Sequence, residues 1–218
     1  MCGRYVAPAE RDLEAYWHIG RENVIERIVS VFNAAPTMVL PIITHEGVRQ
    51  AKWGLVPVWW KQPKPPTSTI NARVEEASEK PMWRNSVRKM RCLVPALGWY
   101  EWLNGPEGKV PHFIHAPDRG LIVFAGLYSV RPLDEMPVSY AICTRDAAGS
   151  LAEIHHRMPL VLPQALWAQW LDPALQDGQA VIDAVMAGAA TEFVAYPVSK
   201  YVNAPKNQGE KCIEGLVA

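Results

Sequence analysis

Cysteine is scarce in this chain of 218 residues, and the four present (Cys2, Cys92, Cys143 and Cys212) are far apart with no C-x-x-C pair. That spacing excludes the common zinc ribbons and a disulfide framework, and no cofactor is called for. Long apolar runs are also missing. No stretch approaches the roughly 18 residues needed to span a bilayer, so no membrane partner is expected. An apolar leader is absent too, because Arg4, Glu10, Arg11, Asp12 and Glu14 break up the N-terminal stretch, and a cytoplasmic protein is the expectation. Repeats, low-complexity tracts and a clear linker are lacking. With 49% hydrophobic residues, the chain reads as a single domain over 1–218 with a substantial core, and as a monomer.

Net charge is zero, which taken alone argues against a nucleic-acid partner. The distribution argues otherwise. Residues 1–100 carry 14 Lys+Arg against 9 Asp+Glu, and residues 101–218 carry 8 against 13. Within residues 49–91 there are 10 basic and 3 acidic side chains, interleaved with Trp53, Trp59, Trp60 and Trp83. Cations neutralise phosphates and aromatic faces stack on unpaired bases, so this stretch suits a single strand. A solvated helix face with core tryptophans would read the same way.

Short apolar runs and turn signals dominate the local pattern. Residues 10–17 read as a helix, and 37–44 with 48–55 as a strand pair turning at Glu46-Gly47. Residues 56–68, with Pro57, Pro63, Pro65 and Pro66, read as an exposed loop, since proline removes backbone donors. Residues 74–90 read as one helix bent at Pro81. Strands follow at 91–95, 98–103, 111–116, 121–129 and 138–144, then helices near 164–171 and 176–187 and a last strand near 192–198. Long helical crossovers between strands are missing, so the fold class is α+β, with a mainly antiparallel, barrel-like sheet flanked by helices.

What is present at position 2 matters most. If Met1 is trimmed, as it normally is before a small side chain, Cys2 carries a free α-amine and a free thiol on adjacent carbons. An α-amine with a pKa of about 7.7–8.0 is partly neutral at physiological pH and attacks aldehydes to give an imine. The thiol then closes on the imine carbon to form a thiazolidine. Three internal segments carry polar groups in apolar surroundings: Thr69–Glu75, Gly98–Trp102 and Ile154–Pro159. Strand alternation puts Glu101 on one face with Trp99 and Leu103, where desolvation would raise its pKa towards neutrality, as a general acid/base needs. Pairing with Arg4 or Arg73 is the competing reading. His155 suits proton transfer near pH 7 or the capping of a turn. The tandem His155-His156 lacks further ligands at a recognisable spacing, so no metal is expected. Asn71 either orients a polar group or caps the helix after it.

These segments, taken in order, resemble the SRAP (SOS response-associated peptidase) family. The resemblance rests on Cys2–Tyr5, Asn33–Pro36, Trp53-Gly54, Pro57, Trp59-Trp60, Asn71, Arg73, Glu75, Glu101, His155, Arg157–Pro159 and Lys206–Gly209, and covers essentially the whole chain. It implies a protein that crosslinks covalently to abasic sites in single-stranded DNA. The implied catalytic residues are Cys2 (amine and thiol), Asn71 (positioning the amine), Glu101 (proton shuttle) and His155 (opening of the sugar ring). Arg4, Arg73 and Arg157 are implied phosphate contacts, and Trp59 and Trp60 base-stacking or wedging groups. The family often carries Asp where this chain has His156. An associated abasic-site lyase activity, a thiol-dependent autoproteolytic peptidase removing Met1, and a non-covalent single-strand binder are the other readings.

Overall fold

A computed structural model describes residues 2–17, 29–62, 68–106, 108–132 and 136–216. In chain order the strands are β1 (Tyr5–Ala7), β2 (Val31–Ala34), β3 (Val39–Thr44), β4 (Gly47–Trp53), β5 (Asn71–Arg73) and β6 (Arg91–Ala96). They continue with β7 (Gly98–Gly105), β8 (Gly108–His115), β9 (Ile122–Val130), β10 (Val138–Asp146), β11 (Arg157–Pro159) and β12 (Val194–Pro197). The helices are α1 (Glu10–Glu14), α2 (Val74–Ala77), α3 (Arg84–Lys89), α4 (Leu151–Ile154), α5 (Trp167–Leu171) and α6 (Gly178–Ala187).

Five strands close on themselves in the order β10-β4-β3-β6-β9 and back to β10. Closure is mixed, because β10 runs parallel to β4 (Tyr140 opposite Trp53) and antiparallel to β9. A fully antiparallel sheet, ordered β12-β8-β7-β1-β2, accompanies the barrel. The α+β class with a barrel-like, mainly antiparallel core is therefore what the chain adopts. One apolar cluster joins barrel and sheet through Tyr5, Trp53, Trp99, Phe124 and Tyr140. Within it the Tyr5 and Tyr140 hydroxyls lie 2.8 Å apart, which satisfies two polar tips that would otherwise be buried alone. A second cluster packs Val87, Trp170, Ile182 and Val185 of the helices against Leu93 and Leu127 of the barrel.

Two features of this scaffold set up the site. β10 accepts β5 in parallel and β11 antiparallel, and both register at Thr144, so they flank it on opposite edges. Gly98 begins β7 with φ +156, and a Cβ there would sit 2.5 Å from the Ile114 carbonyl oxygen and 2.4 Å from the Phe113 ring. Only glycine allows β7 and β8 to close at that point.

Several local expectations need correction. Residues 74–90 form two short helices rather than one bent helix: α2 ends before a turn, and the amides of Trp83 and Arg84 bond back to the Lys80 carbonyl. Pro81 has no N–H to continue the ladder, and burial of Trp83 fixes the break. The first helix stops at Glu14. Strands β1, β2, β5 and β11 went unread because three or four residues carry too little alternation to register. In the proline-rich loop, residues 63–67, including Lys64, lie outside the described residues.

Candidate active site

Cys2 stands just before β1 and is fully buried, its Sγ 3.9 Å from the Arg4 carbonyl oxygen. Burial pushes its thiol well above the ordinary cysteine range, and the charge of Glu101 adds to this. Asn71 begins β5 and donates its side-chain N–H to the Cys2 carbonyl at 2.8 Å. Its Oδ1 is buried and accepts no hydrogen bond among the described residues. One amide therefore grips the backbone of residue 2 and keeps an acceptor in reserve beside it. Asn71 starts a strand whose neighbour Arg73 precedes α2, so it does not act as the helix cap considered from the sequence.

Glu101 reaches the same place from β7. β1 pairs with β7 through Tyr5 opposite Trp99 and Val6 opposite Gly98, and continuing that register brings Gly3 alongside Glu101. The side chain is only 4% exposed. Desolvation pushes its carboxyl up to about 7, with the positive N-terminal amine pulling the other way. The arginines weighed as partners are engaged elsewhere. Arg4 donates to Asn33 Oδ1 and the Val202 and Asn203 carbonyls, and Arg73 lies 4.0 Å from Glu76.

His155 follows α4. Its Nδ1 lies 2.9 Å from the backbone N and 3.2 Å from the carbonyl oxygen of Arg157, so the backbone of that residue holds the ring in place. Burial is the main cause lowering its pKa, and the N-terminal amine, His156 and Lys109 act in the same direction. The His155 and His156 rings stack at 4.4 Å. Among the described residues no group of three His, Cys, Asp or Glu side chains is gathered as a metal would require.

Gly3, Arg4, Glu101, Trp102, Lys109, His155 and Asn203 line a cavity of about 440 Å³. A larger groove of about 770 Å³ lies between Trp17, Ile43, His45, Leu171 and Leu175, but shares no residue with this cluster. The smaller cavity is the chemical one, since Glu101, His155 and Gly3, the neighbour of Cys2, line it. Sequence reasoning missed Trp102 as a wall, with its indole N–H on Asn203 Oδ1 at 2.9 Å, and missed Lys109 and Asn203 altogether. The Trp-Glu-Trp alternation was the available signal for Trp102; Asn203 arrives from about a hundred residues away.

The remaining expected residues divide. Trp59 is 53% exposed with its ring edge-on to Trp60 at 5.7 Å, and the Arg73 side chain is about half exposed. Trp53 and Trp83, part of the same basic-aromatic stretch, are core residues. Arg157 is buried: it forms a two-point pair with Glu75 at 2.9 and 2.8 Å, reaches Asp146 at 2.5 Å and donates to the Thr144 carbonyl at 2.7 Å. Its guanidinium ties α2 to β10 and β11. Asn33 is also fully buried, and its Nδ2 reaches the carbonyls of Val202, Ala204 and Asn207. Gln208 closes the same knot through Oε1 on the Asn33 N–H. The late Lys206–Gly209 segment thus holds the chain against β2 and Arg4.

Comparison with known proteins places the chain in a family. The chain is 32% identical to the abasic site processing protein YoqW of Bacillus subtilis, over 98% of this chain and 99% of that one. It is 30% identical to the abasic site processing protein YedK of Escherichia coli, over 98% and 99%. A crystal structure of a phage-related protein from Bordetella bronchiseptica superposes with a TM-score of 0.71 at 28% identity, over 96% of this chain and all of that one. A Bacteroides thetaiotaomicron protein gives a TM-score of 0.73 at 25% identity, over 85% of each chain. A family model described as SOS response associated peptidase (SRAP) matches residues 1–205, and by that match and these relatives the chain belongs to the SRAP family.

Proposed function

We propose that this protein processes abasic sites in single-stranded DNA by trapping the ring-opened aldehyde covalently on Cys2 after removal of Met1. The observation that carries the reading is that Asn71 holds the Cys2 carbonyl while Glu101 and His155 line the cavity beside it, at Gly3. The names of the relatives, abasic site processing proteins, support the substrate.

The geometry suits each step. An abasic deoxyribose is mostly a closed hemiacetal. Opening it needs a proton delivered to the ring oxygen, which protonated His155 supplies, and a proton removed from the anomeric hydroxyl, which the Glu101 carboxylate takes. The Cys2 amine, oriented through the free Asn71 Oδ1, then attacks the carbonyl carbon. Of the two protons the amine gives up, one goes to the carbonyl oxygen and the other restores His155; Glu101 returns its own to the departing hydroxyl, and water leaves as the imine forms. The Cys2 thiol adds to the imine carbon, its proton going to the ring nitrogen, and the product is a thiazolidine plus one water. A carboxyl near neutrality serves in both directions, as acid and as base.

The thiol's raised pKa weighs against the autoproteolytic reading, which needs a thiolate at neutral pH. The imine route begins at the amine and does not. Incubating the processed protein with single-stranded DNA bearing one abasic site and running a denaturing gel tests the proposal. A shifted band is expected for the parent and lost in Cys2→Ala and on DNA without the lesion. A correctly processed protein giving no band overturns it.

A further inference from the structure

We infer that Lys109 is an anion contact of the Cys2 cavity, holding a phosphate that flanks the captured sugar. The inference rests on the abasic-site reading above. An abasic deoxyribose entering a cavity of about 440 Å³ brings two phosphates to its mouth. The cavity already contains a carboxyl group, Glu101, so a cation with donors to spare is needed there to hold a phosphate.

Two cations line this space, and they are placed differently. The guanidinium of Arg4 spends Nη1 on Asn33 Oδ1 and the Val202 carbonyl, and Nη2 on the Asn203 carbonyl, at 3.0, 3.0 and 3.3 Å. It is turned toward the C-terminal segment and serves the fold. Lys109 enters on β8, opposite Asn104 of β7, and is exposed. Among the described residues its ammonium makes no hydrogen bond or ion pair, so all three donors remain for a ligand. Its charge is nonetheless felt at His155. An ammonium on a flexible four-carbon stem accommodates the changing phosphate position as the sugar opens.

The test uses the processed protein and a single strand carrying a tetrahydrofuran residue, which mimics the abasic sugar but lacks the anomeric hydroxyl and cannot be trapped. Binding is followed by fluorescence anisotropy from 50 to 200 mM salt for the parent, Lys109→Ala and Lys109→Arg. Lys109→Ala is expected to weaken binding about three- to tenfold at low salt and to lower the slope of log K against log salt by about 0.7, with Lys109→Arg restoring both. An unchanged slope in Lys109→Ala, an arginine variant no better than alanine, or no binding by the parent overturns the inference. A parallel gel with the reactive abasic strand separates the two readings. Salt-sensitive binding through Lys109 without any crosslink would leave the phosphate contact standing and remove covalent capture.

Discussion

Asn71 donates its side-chain N–H to the carbonyl of Cys2 at 2.8 Å, bridging β5 to the start of the chain across 69 residues of sequence. This single bond fixes where the backbone of residue 2 lies relative to β10, and with it the direction of the amine and the thiol. Asn71→Ala is expected to lower the rate of crosslinking about 10- to 100-fold, with a small change in melting temperature, because misplacement of a reacting group by about 1 Å has that consequence. Asn71→Asp should do worse, setting a carboxylate oxygen against the Cys2 carbonyl. Single-turnover crosslinking of both variants checks this; a parental rate in Asn71→Ala would remove the positioning role.

Glu101 connects stability to pH in a definite direction. Its folded pKa of about 7 lies above the ordinary 4.5, so the folded state binds more protons than the unfolded state between these values. Stability from this group is full below about 4.5 and is lost as pH rises through about 7. Glu101→Gln removes the charged form, and should stabilise the fold at pH 8 by roughly 1–3 kcal/mol relative to the parent while lowering the crosslinking rate at least 100-fold. Denaturant midpoints at pH 5 and pH 8 test the sign: the variant's advantage over the parent should be small at pH 5 and grow towards pH 8.

Asn33 predicts a purely architectural defect. Replacing it with alanine leaves the carbonyls of Val202, Ala204 and Asn207 and the Arg4 guanidinium without their shared partner. A cost of about 2–4 kcal/mol is expected for several buried polar groups losing a bond at once. Limited proteolysis should cut first in the 199–212 segment; resistance equal to the parent's would argue that the knot is dispensable.

Two tryptophans of the same sequence stretch should behave oppositely. Trp53 is fully buried, stacked near Tyr140 and edge-on to Tyr5, and Trp53→Ala should cost about 3–5 kcal/mol of stability. Trp59, more than half exposed, should lose affinity for single-stranded DNA by about 1–3 kcal/mol on truncation and leave melting unchanged. Equal DNA affinity in Trp59→Ala would remove the stacking assignment.

His156 bears on His155, the proposed acid for opening the sugar. Its ring stacks on His155 and contributes to lowering the His155 pKa. His156→Asp should raise that pKa, moving the corresponding limb of the crosslinking pH–rate profile to higher pH. Superimposable profiles would show that the neighbour is electrostatically silent.

The parts of this molecule that were legible in its sequence are those whose signal is local. Glu101 stood out because strand alternation puts a carboxylate on an apolar face, and the structure shows it buried with a raised pKa. The barrel-like, antiparallel character followed from short runs separated by turn signals. What was hidden depends on partners distant in sequence. Arg157 looks like any basic residue until Glu75 and Asp146 are brought to it by β10 and its flanking strands. Arg4 and Asn33 acquire their roles from carbonyls near residue 202, almost the length of the chain away. The helix expected over 74–90 failed for a local reason that was visible, Pro81, but burial of Trp83 decided that the break would be a full turn. Lys109 was passed over because an isolated lysine carries no pattern.

The cavity draws on residues 3 and 4 at one end of the chain and residue 203 near the other, with 101, 102, 109 and 155 between. During synthesis these arrive in order, and at about 5–20 residues per second the interval from first to last is roughly 10–40 s. Cys2 thus leaves the ribosome long before the residues that line the neighbouring cavity. Under the proposed removal of Met1, a nascent chain would carry the Cys2 amine and thiol unguarded, open to any metabolic aldehyde, until the last wall, near residue 203, arrives.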